Sequence, residues 1–126
     1  MSDGEHQEGQ TWEAVMSANK WNLGNLIAIM DCNRLQIEGT TDEIMPLGNL
    51  ADKYHTFGWE VREIDGHDFA QILEALSWAD TNTKPTMIIA HTTLGKGVSF
   101  MENNWAYHDW AGKPGDAEKA LSELNV

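Results

Sequence analysis

The stretch Leu26-Ile-Ala-Ile-Met30 decides the fold. Five apolar residues stand between Gly24-Asn25 on one side and Asp31-Cys32-Asn33 on the other. A short apolar run bounded by polar residues predicts a strand buried on both faces, and therefore central in a parallel sheet. Before it, residues 11–21 carry apolar groups at 12, 15, 16 and 18 and no Gly or Pro, which predicts a helix. After it, residues 31–41 are polar and contain glycine, a loop leaving the strand. Residues 47–56 follow Pro46 and precede Gly58, the bounds of a second helix. Trp59-Glu-Val-Arg-Glu-Ile64 alternates as a strand does. Asp65-Gly-His-Asp68 is a turn, with Asp68 as helix cap for an amphipathic segment over 69–78. Thr86-Met-Ile-Ile-Ala90 is another buried strand, 92–107 a long polar and aromatic loop, and 115–124 a charged terminal helix with an Asp116–Lys119 pair. Helix and strand alternate three times, which predicts an α/β chain: a partial three-layer parallel sheet with crossover helices.

Composition narrows the function. At 126 residues the chain makes one domain. Eight Lys and Arg against twenty Asp and Glu give a net charge of −12, which repels nucleic-acid phosphates and anionic lipid, so neither nucleic acid nor membrane is an expected partner. No apolar run nears the ~20 residues of a membrane span, and Met1-Ser-Asp-Gly-Glu5 has no secretion-signal character. Cys32 is the single cysteine, in keeping with a reducing, cytoplasmic setting and with a small core residue rather than a nucleophile. Six tryptophans in so short a chain point to an interface.

Two short motifs carry chemistry. Asp3-Gly4 pairs a carboxylate with a glycine at the start of a helical segment, where a metal can sit while backbone approaches phosphate; a frayed helix cap is the other reading. Asn33 follows a strand end, where ligands bind in open α/β sheets; a turn residue is the alternative. The thirty positions between Asp3 and Asn33 match one crossover unit, so both side chains can face one crevice. Carboxylate, amide and carbonyl oxygens suit Mg²⁺ or Ca²⁺ completed by diphosphate oxygens.

With these two motifs, the segments Gln36-Ile-Glu-Gly39, Gly58-Trp59, Ile64-Asp-Gly-His-Asp68, Lys84-Pro85 and Gly95-Lys-Gly-Val-Ser-Phe-Met-Glu-Asn103 resemble, in order, those of transketolases, over nearly the whole chain. The last stretch is typical of transketolases whose N-terminal section is a separate polypeptide. The resemblance implies a thiamine-diphosphate-binding fold, of which residues 1–126 form the C-terminal half of the diphosphate-binding domain. It implies part of a split enzyme that moves a two-carbon ketol unit between sugar phosphates, using thiamine diphosphate and Mg²⁺ or Ca²⁺. Residue by residue, it makes Asp3 and Asn33 side-chain metal ligands and Leu35 a backbone-carbonyl ligand. Gly4, Glu5, Asn33, Leu35 and His108 become cofactor-binding, His108 and Glu8 catalytic, and Glu8 and Glu13 members of an acidic network across a dimer. The expected partners are companion chains carrying the first half of this domain and the pyrimidine-binding domain, without which the chain is inactive. Two departures stand out: Ser2 occupies the place of the motif's first glycine, and Asp109 that of the glycine after the histidine. The alternatives are another thiamine-diphosphate enzyme, of 1-deoxyxylulose-phosphate synthase or ketoacid dehydrogenase type, or a non-catalytic remnant. Of the other candidates, His6 and His55 are expected at the solvated surface, and His67 is expected to brace its turn. His91 and Lys96 face cofactor or solvent, and Trp105 and Trp110 anchor loops or touch a partner.

Overall fold

Thr86–His91, strand β5, is the middle of the sheet, buried from Thr86 to Ala90. The computed structural model describes residues 1–109 and 112–124. In chain order its elements are α1 (Gly9–Lys20), β1 (Ile27–Cys32), β2 (Leu35–Gln36), β3 (Gly39–Thr40), α2 (Thr41–Ile44), α3 (Leu50–Thr56), β4 (Glu60–Asp65), α4 (Phe69–Ala79), β5 and α5 (Asp116–Glu123). Short 3₁₀ turns cover Gly4–Gln7 and Trp105–Tyr107.

The main sheet is ordered β1-β5-β4 and all parallel, with Ile29, Ile88 and Arg62 in one cross-sheet row. Side chains alternate between faces. Ala28, Met30, Cys32, Met87, Ile89 and Val61 fall on one face, packed under Val15 and Ala18 of α1 and Leu50 and Tyr54 of α3. Ile27, Ile88, Ala90 and Ile64 fall on the other, under Ala75 and Ala79 of α4. This is the expected three-layer α/β architecture.

The centre of the sheet is not where the sequence puts it. The apolar run of β1 predicts a central strand, but β5 takes that position and β1 lies outside it, with Ile29 47% exposed. Apolarity on both faces of β1 states that the strand needs cover, and here only one face receives it in full. Residues 1–3 run parallel along β1's outer edge: Asp31 N donates to Met1 O at 2.9 Å, and Asp3 N donates to Asp31 O at 3.2 Å.

Residues 31–41 hold more structure than a loop. β2 and β3 form a small antiparallel hairpin, and Thr40 caps α2 through reciprocal bonds with Glu43. Asp68 caps α4 as expected, accepting from Ala70 N and Gln71 N. The expected Asp116–Lys119 pair is not formed; Lys119 Nζ lies 4.3 Å from the Phe100 ring centroid, and Asp116 instead accepts from Lys113 N. Trp110 lies outside the described residues.

His6 is the clearest reversal: it is buried, 1% exposed, not solvated. Its Nδ1 meets Ser2 O at 2.8 Å and its Nε2 meets Tyr54 Oη at 2.9 Å, with Trp12 and Tyr54 edge-on to its ring. A carbonyl can only accept, so Nδ1 carries the proton and the tyrosine hydroxyl donates to Nε2. Burial lowers the His6 pKa. The unfolded chain therefore takes up a proton that the folded chain refuses. The contribution is complete above the unfolded value of about 6.5 and is lost as pH falls below it. Urea midpoints at pH 7.5 and pH 5 should show wild type losing stability on acidification, and His6→Gln losing less. Equal losses would assign the acid sensitivity elsewhere.

Candidate functional site

The site is built where the end of residues 1–3 meets the end of β1. Asp3 is 1% exposed, and backbone amides hold both of its carboxylate oxygens: Gly4 N to Oδ1 at 2.8 Å and Arg34 N to Oδ2 at 2.5 Å. Arg34 takes a left-handed backbone, φ 62°, as it delivers that amide. The loop beginning at Asn33 is thus closed onto Asp3, thirty residues earlier. Burial raises the Asp3 pKa above its ordinary value, partly opposed by the two amides, and the nearby Asp31 carboxylate adds to the rise. Among the described residues no side-chain ion pair reaches Asp3.

Asn33 serves as a turn residue here. Its Oδ1 accepts from Leu35 N at 2.9 Å, and its Nδ2 points to Asp31 Oδ1 at 3.4 Å. Thr92 Oγ1 also donates to Asp31 Oδ1. Thr41 N donates to Arg34 O at 3.0 Å, a single bond that closes the base of the hairpin, since Arg34 N is turned to Asp3. In an antiparallel ladder the next pair, Leu35–Thr40, then turns its backbone groups outward. The Leu35 carbonyl therefore points to the side on which Leu35 N meets Asn33.

Beside this cradle a cavity of about 420 Å³ brings together Gly4, Glu5, Glu8, Leu35, Gln36 and His108. Five of these six are residues the sequence singles out, and His108 comes from about seventy residues beyond the hairpin. Gln36 opens one of the segments that carry the resemblance, but no role at the site is assigned to it from the sequence. Its Nε2 is buried without a hydrogen-bond partner, and a Cβ on Gly4 would lie 2.9 Å from it, so a side chain at residue 4 would push the Gln36 amide aside. Glu5 Oε2 accepts from Ser2 N at 2.5 Å, and that bond lowers its pKa. Ser2 Oγ accepts in return from Glu5 N at 3.3 Å, and Ser2 keeps a negative φ, so a serine suits this turn. Glu13 is exposed on α1 and is not among the residues lining this cavity.

On the other side of Asp3 a cavity of about 370 Å³ is lined by Asp3, Cys32, Arg34, Glu63 and His91. His91 faces this crevice at the end of β5 and pairs with Glu63, Nε2 to Oε2 at 2.7 Å. Cys32 is half-buried and burial raises its pKa, so the thiol stays protonated, as a core residue rather than a nucleophile. His67 Nε2 accepts from Thr93 N at 2.8 Å and braces its turn against the loop after β5. His55 is exposed. Lys96 is exposed between Gly95 and Gly97, both with positive φ.

The donor set suits a divalent cation with a diphosphate. A buried carboxylate held by amides and lacking a counter-charge gains from a cation placed against it. The other sequence-predicted donors are the Asn33 amide oxygen, which here accepts from Leu35 N, and the Leu35 carbonyl; these are hard ligands rather than the His, Cys or carboxylate clusters of transition-metal sites, of which the described residues have none of three or more. The unpartnered Gln36 amide and the bare backbone at Gly4 lie where an anionic group would find a donor and a close approach.

Residues 1–124 match the family model described as transketolase, thiamine diphosphate binding domain. The chain is 44% identical over 126 residues to an apulose-4-phosphate transketolase subunit of Phocaeicola vulgatus, covering 99% of this chain and 45% of that protein. It is 47% identical over 110 residues to a 6-deoxy-6-sulfo-D-fructose transketolase subunit of a Clostridium species, covering 86% of this chain and 40% of that one. The crystal structure of transketolase from Campylobacter jejuni superposes with a TM-score of 0.86 at 34% identity, over 99% of this chain and 20% of that chain. The chain thus spans less than half the length of these curated relatives.

Proposed function

This chain belongs to the transketolase thiamine diphosphate binding domain family, and from that premise we propose that it is the C-terminal half of the diphosphate-binding domain of a split transketolase. Companion chains supply the first half of the domain and the pyrimidine-binding domain. The observation that carries the reading is the Asp3 cradle: a buried carboxylate, fixed by Gly4 N and Arg34 N, beside the cavity that gathers Gly4, Glu5, Glu8, Leu35 and His108.

In this reading Asp3 and Asn33 side-chain oxygens and the Leu35 carbonyl hold Mg²⁺ or Ca²⁺. Gly4 and Glu5 border the cofactor, with Gly4 N–H facing the diphosphate. His108 stands at the cofactor and substrate, and Glu8 and Glu13 belong to an acidic network reaching a second site across a dimer. When bound, thiamine diphosphate supplies the nucleophilic carbon and electron sink needed to move a two-carbon ketol unit between sugar phosphates. The chain's own share is to neutralise diphosphate charge, orient the cofactor and offer the His108 ring for hydrogen bonds to substrate oxygens. Among the described residues no helix is long and apolar enough to cross a membrane, and a cytoplasmic setting accords with the single thiol.

The test is reconstitution. The 126-residue chain alone is expected to give no ketol transfer from a ketose phosphate to an aldose phosphate. Together with its companions it should give turnover that requires thiamine diphosphate and is removed by a chelator. Turnover by the isolated chain, or chelator-resistant turnover by the assembly, would refute the assignment.

A further inference from the structure

The loop after β5 brings His108 to the cavity that also holds Gly4, Glu5 and Glu8. A connection this long keeps one shape only where it is tied down. Its root is tied to the sheet: Thr92 N donates to Cys32 O at 3.3 Å, Thr92 Oγ1 donates to Asp31 Oδ1, and Thr93 N donates to His67 Nε2 at 2.8 Å. Beyond the root, Val98 alone is buried among the described residues up to His108. The arm that ends at His108 therefore depends on what meets it at the surface.

What meets it is α5. Glu123 accepts twice from Ser99, from its N to Oε2 at 2.5 Å and from its Oγ to Oε1 at 3.0 Å. The bond from Ser99 N, with that from its hydroxyl, holds the Glu123 carboxyl below the ordinary carboxylate range. Lys119, on the same face of α5 one turn earlier, sets its Nζ 4.3 Å from the Phe100 ring centroid. Phe100 in turn meets the Tyr107 ring edge-on, with centroids 5.6 Å apart, and Tyr107 adjoins His108. Among the described residues of α5 none is buried. A helix this short does not hold itself in water, so α5 and the arm order each other through these contacts.

We propose that Glu123 is a positioning residue for His108: through Ser99, and with Lys119 set on Phe100, it moors the arm so that His108 takes its place in the cavity. This rests on the reading above of His108 as the residue at cofactor and substrate. Glu123 does not itself line the cavity; its effect reaches the site through the course of the loop. A carboxylate suits the task because its two acceptor oxygens meet the two donors of one serine. The coupling is mutual, so a ligand that engages His108 also tightens α5 on the arm.

The test is NMR of the full chain labelled at the histidine rings, with turnover of the assembled enzyme as the second readout. The histidines report from different places: His108 on the arm, His67 at the root of the loop, His6 in the core. Glu123→Ala should shift and broaden the His108 ring signal and leave those of His67 and His6 in place. Glu123→Gln should keep the wild-type signal, since an amide retains an acceptor for Ser99 N and gives an N–H to the Ser99 hydroxyl oxygen. Glu118→Ala, at an exposed position elsewhere on α5, should change nothing. In the assembled enzyme Glu123→Ala should lower kcat/KM for the ketose phosphate about tenfold, and Glu123→Gln by less than about twofold, as expected when a contacting group is slightly misplaced and then restored. An unmoved His108 signal in Glu123→Ala, or one that moves together with His67 and His6, would overturn the proposal. So would wild-type turnover by Glu123→Ala in an active assembly. Absence of ketol transfer from wild type, with the His108 signal still shifted by Glu123→Ala, would instead keep the mooring and sink the split-transketolase reading.

Discussion

Asp3→Ala in the assembled enzyme is expected to raise the thiamine diphosphate concentration for half-saturation by at least ~100-fold, more than loss of a supporting residue near a metal, which costs ~10–100-fold. The carboxylate is the one charged member of the proposed donor set, and Asn33→Ala, which removes a neutral oxygen, should have the smaller effect. The electrostatics give a second measurement. Asp3 has a folded pKa above its unfolded value. Its contribution to stability is therefore complete below the unfolded value and is lost as pH rises through the folded one. At neutral pH without cation the ionised carboxylate weighs against the fold, and a divalent cation relieves it. Mg²⁺ with thiamine diphosphate at about 100 times the dissociation constant should stabilise wild type by about 2.7 kcal/mol, and Asp3→Ala by almost nothing. Equal stabilisation of both in thermal unfolding would remove Asp3 from the site.

Tyr54→Ala is expected to lower the free energy of unfolding by about 3–5 kcal/mol. Tyr54 is 0% exposed and joins three aromatic neighbours: His6, Trp12 and Trp59, at centroid distances of 5.7, 5.7 and 5.3 Å. Truncating a buried aromatic costs about 3–5 kcal/mol, against a total of about 5–15 for a domain. Tyr54→Phe isolates the hydroxyl. It leaves His6 Nε2 without its donor in a buried place, at about 1–3 kcal/mol, and loosens the turn that His6 holds through Ser2 O. Urea titration followed by circular dichroism measures both. A Tyr54→Ala chain within about 1 kcal/mol of wild type would show that the aromatic cluster is not the core it resembles.

Much of this is legible in the sequence because it is local. The run Thr86–Ala90 reads as a buried strand, and burial at every position from Thr86 to Ala90 agrees. Asp68 reads as a cap because its bonds reach only three residues. Crossover length ties Asp3 to Asn33, and Arg34 N on Asp3 Oδ2 brings the two motifs together. What the sequence hides depends on distant partners. Nothing near His6 announces burial; its partner Tyr54 is 48 residues away. Gln36 gains its place only when the β2–β3 hairpin is laid against Gly4, and two-residue strands are too short for periodicity to register. The start of α2 does carry a local signal that periodicity overlooks: Thr40-Thr-Asp-Glu43 has the spacing of a capping box. The position of β1 escapes a reading of apolarity, because apolarity reports how much cover a strand requires, not its place in the sheet.

The strand order bears on how the chain is made. β1 and β4 never pair with each other; each is bonded to β5, which is translated after both. From Cys32 to His91 a ribosome working at roughly 10 residues per second takes about six seconds. Throughout that interval Ile27–Cys32 lacks the strand it pairs with along its inner edge. Closing this sheet is therefore a matter of order in time: two strands wait on the third before any of the three can be knitted together.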